Sequence, residues 1–468
     1  MKPMREFLRD LQALGIQLWD DDGYLGYRAP DGVFTPGLIT QVKERKDEIL
    51  HFLRNEQGVR SPASIGSDAS CEHLSLLIEA YQAPHEHYHA MQAKDSIYYD
   101  AQSRSWLVTS HAAVTQILKD ARFSAELNQA TAQQPKKASS RRETLIQKQI
   151  IFTEGEVHQK FQGILLRKMG QICKEIPDQV RATAETLLDQ VQEKETFDLV
   201  MDFAYPYSLM IIAHVLGIPA NSPEQLLQLA RWSDTHGHVT SSYLDVDLQD
   251  LDQLGDYFHD LLASKRQDPS DDLINTLIEA ELFEHEDELI ANCLMVLSAG
   301  RMTTAKVLAN GIPLLLNQWQ MYRTQLAEDP KLAERLTEEL LRVITPTRYV
   351  TRHALEDVDL SGQFPGDHLI RQDDKVVLFL EAANHDPNRF PEPEQIDAKR
   401  HPNRHVAFGV GPHYCPGARL ARMEIQIALK SLFTVFTELY SAPEAVPVWN
   451  TNPNLGGYDE YCLTRRME

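Results

Sequence analysis

The residues best suited to chemistry lie in one ten-residue string, Phe408-Gly409-Val410-Gly411-Pro412-His413-Tyr414-Cys415-Pro416-Gly417. A single cysteine stands among glycines and prolines, directly before a helical pattern that begins near Ala418. Glycines let a backbone take positive φ and pass close to a flat object. The sulfur sits near a helix N-terminus, where backbone N–H groups and the helix dipole favour a thiolate. A thiolate so placed is a good axial ligand for haem iron, and its electron donation favours O–O cleavage. The plainer alternative for a lone cysteine is a buried thiol beside a turn. A second pattern, Glu339-Leu340-Leu341-Arg342, puts a carboxylate and a guanidinium on one helical face at i and i+3. Alone it reads as an ordinary surface ion pair. Pro346 would stop its helix.

These residues need a scaffold that can position them. The chain has 468 residues, 43% of them hydrophobic, which suits two or three average domains, or one large domain with an appendage. Wholesale disorder is excluded. With 46 basic and 68 acidic residues the net charge is −22, so no nucleic-acid partner is expected. The mean hydropathy is −0.37. No run approaches the roughly 18 apolar residues of a membrane span, and Met1 to Asp10 carry no secretory signal. A cytoplasmic protein without a membrane span is the expectation. Cys71, Cys173, Cys293, Cys415 and Cys462 lie far apart with no CxxC pair, which argues against a disulfide framework or an all-protein zinc site.

Residues 1–57 read as a unit of their own. Met4 to Leu14 is a short helix with Phe7, Leu8, Leu11 and Leu14 on one side, ended by Gly15. Ile16 to Trp19 and Tyr24 to Tyr27 alternate like strands around the tight turn Asp22-Gly23. Thr35-Pro36 opens a helical pattern carrying Leu38, Val42, Ile49 and Leu53. Nearly all the acid excess lies beyond this unit. Residues 58–70 form a Gly/Ser/Pro-rich linker. Residues 71–468 are mostly helical in pattern, with short strands at Tyr98 to Asp100 and Ser105 to Thr109, and a long apolar helix over Asn292 to Leu316. The polar, basic stretch Gln133 to Arg142 reads as a mobile loop.

The cysteine string resembles the haem-binding loop of the cytochrome P-450 family, the haem-thiolate monooxygenases, and most closely that of the soluble bacterial class. The likeness covers about residues 75–465 in the right order. Ser105 to Asp120, Phe123-Ser124, Asn384-His385-Asp386-Pro387, Phe390-Pro391 and Pro393 share it. Glu339 and Arg342 match the family's Glu-x-x-Arg helix, and Arg400 matches the arginine that completes its network. The resemblance implies a mainly α, triangular fold with a minor β region, holding haem b (iron protoporphyrin IX) between a distal helix and the Cys415 loop. Cys415 would be the metal ligand, framed by Phe408, Gly409 and Gly417. His158, Arg352 and His413 match the partners of the two anionic propionates. Gln162 departs from an arginine that the family often has there.

On the distal helix, Ala299-Gly300-Arg301-Met302-Thr303 stands where the family has Ala-Gly-x-acid-Thr. The resemblance makes Ala299 and Gly300 the shapers of the oxygen pocket and Thr303 the residue that helps activate oxygen. Met302 replaces the acid that relays protons. Arg301 adds a charge whose direction the sequence leaves open. Three readings follow. Protons run through water, substrate or another side chain. Or the enzyme is peroxide-driven or non-hydroxylating, carrying out desaturation, cyclisation or nitrogen oxidation. Or Met302 only packs.

Residues 3–56 resemble the N-terminal docking domain of tubulysin-type peptide synthetases, a small αββα unit that binds the C-terminal tail of a preceding subunit. An open hairpin edge can accept such a tail, and the run Lys43-Glu44-Arg45-Lys46 could meet an acidic one. Together the resemblances imply a monooxygenase acting on a natural-product intermediate, such as an amino acid or peptide held on a carrier protein of a peptide or polyketide synthetase. No flavin or nicotinamide motif is present, which implies a ferredoxin or flavodoxin and its reductase as electron source. The substrate would lie under the segments Gln133 to Arg142 and Trp232 to Tyr243. A different-class alternative is a catalytically idle haem protein serving recruitment.

Overall fold

The computed structural model describes residues 85–101, 103–126, 140–219, 222–240, 248–450, 452 and 454–465, and, nearer the N-terminus, residues 11, 17–21, 24–28, 42, 45 and 49. The chain divides into two compact units, Met1–Asp68 and Ala69–Glu468. In the first, strand β1 (Gln17–Asp21) pairs antiparallel with β2 (Tyr24–Arg28), with Asp21 opposite Tyr24. This two-residue connection is the hairpin that Asp22-Gly23 encodes. The helices expected on either side lie outside the described residues except at single positions, of which Leu11, Val42 and Ile49 are buried.

In the second unit seven helices matter for the site: α1 (His85–Lys94), α2 (Gly155–Glu175), α3 (Tyr205–Leu216), α4 (Pro223–Thr240), α5 (Glu286–Leu315), α6 (Leu332–Ile344) and α7 (Ala418–Val435). The helix expected from Asn292 starts six residues earlier, because Glu286, Asp287 and Glu288 complement the dipole in its first turn. α6 ends at Thr345, which takes left-handed backbone angles just before Pro346. One apolar core joins α2 to α7 through residues such as Phe161 and Leu165 of α2, Ile212 of α3, Leu229 of α4, Leu297 of α5, Leu340 of α6 and Leu429 of α7, while Tyr88 of α1 packs in a separate cluster with Leu107, Tyr349 and Phe379.

A five-stranded sheet completes the unit: β3 (Ile97–Asp100), β4 (Ser105–Val108), β5 (Phe123–Ser124), β6 (Tyr349–Ala354) and β7 (Lys375–Phe379). Its order is β3-β4-β7-β6-β5, with only β4 and β7 parallel. Arg352 of β6 lies opposite Val376 of β7.

Two expectations need correction. Arg141 and Arg142, read as loop, open a helix (Arg141–Gln147) that Ser140 and Glu143 cap reciprocally. They pair with Asp256 and Asp287, and with Asp252, respectively. Residues 133–139 of that segment lie outside the described residues. Leu199–Leu216 is long and apolar enough to cross a bilayer by length and composition, although no such run was expected; 67% of it is buried against protein, as in a core helix.

Candidate active site

A cleft of about 1520 Å³, counted out to its open mouth, lies between α5 and the loop of residues 408–417. The loop is shaped by its glycines. Gly409 and Gly411 have φ of +65° and +82°, and a Cβ on Gly411 would meet the Leu118 carbonyl oxygen at 2.6 Å. The Cys415 N–H donates to the Phe408 carbonyl at 3.0 Å and closes the turn. Gly417 has ordinary backbone angles at the start of α7; a Cβ there would sit 3.8 Å from Cys415 Sγ. Phe408, Gly409, Cys415 and Gly417 all line the cleft. Burial raises the thiol's pKa, against the N–H groups of Gly417 and Ala418, which lower it. A bound cation would supply the missing charge and deprotonate the thiol outright.

Behind the loop lies a buried charge network. Glu339 and Arg342 are 0% exposed. Arg342 donates to both carboxylate oxygens of Glu339, at 3.0 and 2.8 Å, and to the carbonyls of Asn384, Pro393 and Gln395. Arg400 Nε donates to Glu339 Oε1 at 2.9 Å, Asn403 to Oε2 at 3.0 Å, and the Asp397 N–H to Oε1 at 3.1 Å. The structure thus brings Glu339, Arg342 and Arg400 together. The neighbouring Glu338, which the sequence did not single out, accepts two bonds from Arg422, at 2.6 and 2.9 Å, and faces His405 at 3.2 Å. Arg422 also covers the Phe408 ring at 4.5 Å. The signal was the doubled acid Glu338-Glu339 on one amphipathic helix.

His158, Arg352 and His413 also meet at the cleft. The rings of His158 and His413 lie 4.1 Å apart, and His413 Nε2 is 3.0 Å from Glu154 Oε1. Burial and the nearby His413 lower the pKa of His158. Glu154 also accepts from the Ala125 N–H, and its hydrogen bonds outweigh burial to hold its pKa low. Arg352 is 7% exposed and bonds to the carbonyl of Thr351; among the described residues no carboxylate forms an ion pair with it. A buried guanidinium without a carboxylate is costly unless an anion joins it. That unmet charge, the thiol and the glycine-lined loop fit a flat, anionic, iron-bearing cofactor. Gln162 does not replace the missing arginine. Its amide donates to the Tyr414 carbonyl at 2.6 Å and clasps α2 to the cysteine loop.

On the opposite wall, Ala299, Gly300 and Thr303 line the cleft. The Thr303 hydroxyl donates to the Ala299 carbonyl at 2.7 Å. A Cβ on Gly300 would meet Ile212 Cδ1 at 2.5 Å, so close packing of α3 on α5 itself requires this glycine. Met302, expected among the catalytic residues, is not on the wall. It is buried against α4, where its sulfur occupies the space a side chain on Gly237 would need. Consecutive helical residues point about 100° apart, so the phase that turns residues 299, 300 and 303 inward turns 301 and 302 outward. Arg301 is 2% exposed, pairs with Asp234 at 2.6 and 3.1 Å, and lies over the Tyr205 ring at 4.8 Å. Trp232, expected over the substrate, instead packs on Tyr257 with ring centroids 5.5 Å apart. Residues 241–243 of that segment lie outside the described residues. Ile150, Ile151, Met295 and Val296 form apolar wall instead.

Sequence reasoning missed Glu424. It is the one acid among the described residues lining the cleft. It is 1% exposed, and its Oε2 has no hydrogen-bond partner. Burial pushes its pKa well above the ordinary carboxylate range, which favours the protonated form. Its only signal was a charge at i−1 and i−4 from Ile425 and Ala428, on the buried face of α7.

Residues 328–451 match the family profile described as Cytochrome P-450, and residues 4–55 match that of the TubC N-terminal docking domain. The chain is 30% identical over 402 residues to cytochrome P-450 CYP107DY1 of Priestia megaterium, covering 83% of this chain and 95% of that protein. It is 29% identical over 364 residues to the polyketide biosynthesis cytochrome P-450 PksS of Bacillus subtilis, covering 76% and 87%. Among solved structures, P450BioI in complex with an acyl carrier protein ligated by hexadec-9Z-enoic acid matches with a TM-score of 0.73. Its identity is 28%, over 82% of this chain and 99% of that one.

Proposed function

Because this chain belongs to the cytochrome P-450 family of haem-thiolate oxidoreductases, we propose that it is a monooxygenase of an assembly line. Its substrate is a natural-product intermediate, an amino acid or peptide held on the carrier protein of a peptide or polyketide synthetase. The observation that carries this reading is the docking-domain match over residues 4–55, ahead of an oxidase unit. The names of PksS and of the P450BioI complex, which speak of polyketide biosynthesis and of a carrier protein, support the same class of substrate. Residues 1–57 act as the docking domain, 58–70 as linker and 71–468 as oxygenase, in the cytoplasm.

Cys415 would hold the iron of haem b through its thiolate, Phe408, Gly409 and Gly417 would line the place of the ring, and Arg352, His158 and His413 would meet its propionates. Haem bound through a thiolate supplies O–O bond cleavage. Inserting one oxygen atom also consumes two electrons and two protons and releases water. Electrons come from a ferredoxin or flavodoxin with its reductase. For protons, the chain offers the Thr303 hydroxyl and the carboxyl of Glu424, with water between. Ala299 and Gly300 leave space for oxygen, and the apolar side chains of Ile150, Ile151, Met295 and Val296 limit water. Peroxide-driven or non-hydroxylating chemistry rests on Met302, and a side chain turned toward Gly237 gives that reading no support from the cavity wall.

The test is a Soret titration of the ferric, full-length protein and of a form lacking residues 1–57. Free amino acids form one arm; the same groups loaded on a carrier protein with a partner tail form the other. The expected result is a spin-state shift with loaded carrier, weakened by the truncation. An equal shift with free compounds, indifferent to truncation, contradicts the reading.

A further inference from the structure

Away from the cleft, α1 opens with the run His85-Glu86-His87-Tyr88-His89. At i and i+4, His85 and His89 share one helical face, and that face meets the segment from His385 to Glu394. The His85 ring stacks on the His385 ring, with centroids 4.0 Å apart and planes at 25°. His385 is 0% exposed, and its Nε2 lies 3.0 Å from the Val343 carbonyl oxygen. The Nδ1 atoms of both histidines are buried and have no hydrogen-bond partner. Glu394 Oε1 lies 3.6 Å from His385 Nδ1 and 3.2 Å from His89 Nε2. One ligand-capable atom from each of His85, His385 and Glu394 falls within 4.8 Å of the other two.

Buried polar atoms are normally paired, so two imidazole nitrogens left unpaired beside one carboxylate call for an explanation. Two imidazoles and a carboxylate are also a sufficient ligand set for zinc. We propose that His85, His385 and Glu394 form a divalent-metal site suited to zinc, with His89 orienting the Glu394 carboxylate from outside the ligand set.

The nearby Glu381 and Arg348 do not compete: they face each other at 3.3 Å, and Glu381 also accepts from the Tyr88 hydroxyl. None of the three ligands lines the cleft. The role is structural. The ion would pin α1 to the segment whose Asn384 accepts from the Val406 N–H, just ahead of the cysteine loop. The other cluster of this kind, Glu154, His158 and His413, belongs to the cofactor site already described.

The experiment uses full-length, haem-loaded protein, treated with chelator, dialysed and titrated with zinc sulfate by calorimetry. Metal content is counted by mass spectrometry, and thermal unfolding is followed with and without zinc. One tightly held zinc per chain and a raised unfolding midpoint are expected. Glu394→Gln, at a half-exposed carboxylate, and His85→Asn should each weaken zinc binding by at least about tenfold, with the Soret band unchanged. His87→Asn, at an exposed neighbour, should leave it as it is. Absence of saturable one-to-one binding overturns the proposal. So does equal affinity in Glu394→Gln, His85→Asn and the parent, which would place the ion elsewhere.

Discussion

On the loop wall of the cleft, buried charge fixes position. Glu339 gathers bonds from Arg342, Arg400, Asn403 and the Asp397 backbone, while Glu338 holds Arg422 over the Phe408 ring. On the α5 wall, apolar packing fixes position, and charge is turned away. Gly300 fits against Ile212, Met302 against Gly237, and Arg301 faces Asp234 on the far side of the helix. Each loop-wall residue is therefore tied to a named partner, and changing it leaves a stranded charge. The α5-wall residues are tied to helical phase, so a chemical change at one position matters only if that position faces the cleft.

Changes on each wall can break or sharpen this contrast. Arg342→Ala should have the largest effect. It leaves Glu339 buried beside a missing partner, at a cost of about 3–5 kcal/mol in denaturant unfolding, with loss of haem. A cost below about 1 kcal/mol, the usual value of a surface pair, would put both walls on the same footing. Glu424→Gln keeps size and removes the proton. Product formed per electron pair should fall about 10²-fold while haem content and stability hold. Unchanged coupling would leave proton delivery to Thr303 and water alone. Met302→Asp buries a carboxylate against Gly237, away from the cleft. Stability should drop by about 1–3 kcal/mol with no gain in coupling. A gain in product per electron pair would show that position 302 feeds the cleft after all.

The smallest effect concerns acid. Burial raises the Glu338 pKa, but hydrogen bonds from His405 and Arg422 outweigh it and bring it from 4.5 to about 2. A carboxylate held low in the folded state stabilises above its unfolded pKa and loses that contribution as pH falls through the folded one. Glu338 therefore supports the loop wall fully above pH 4.5 and progressively less toward pH 2. Arg422→Ala should raise the pH at which acid releases the cofactor, followed by Soret absorbance. An unmoved midpoint would remove Glu338 from the account of the loop wall.

The same contrast explains what the sequence disclosed. The Gly/Pro spacing around Cys415, the hairpin at Asp22-Gly23 and the i, i+3 pair of Glu339 and Arg342 are local, and local chemistry is readable along the chain. Arg400, and His158, Arg352 and His413 at the cleft, came only through resemblance, because their partners are distant in sequence. The outward turn of Arg301 and Met302 was unreadable, since it depends on α4 crossing α5 beside Gly237. Glu424 was missed because an acid on a helix ordinarily faces solvent. Ser140 with Glu143 was readable as a capping box, yet the basic composition around it suggested a loop.

The central claim is that Cys415 gives this cleft a thiolate-ligated haem. The most direct measurement is the absorption spectrum of the reduced, full-length protein under carbon monoxide, compared with Cys415→His. A long-wavelength Soret band typical of a thiolate opposite carbon monoxide, present in the parent and replaced by a histidine-type band in the variant, is predicted. The same spectrum from both proteins, or a histidine-type band from the parent, would contradict it.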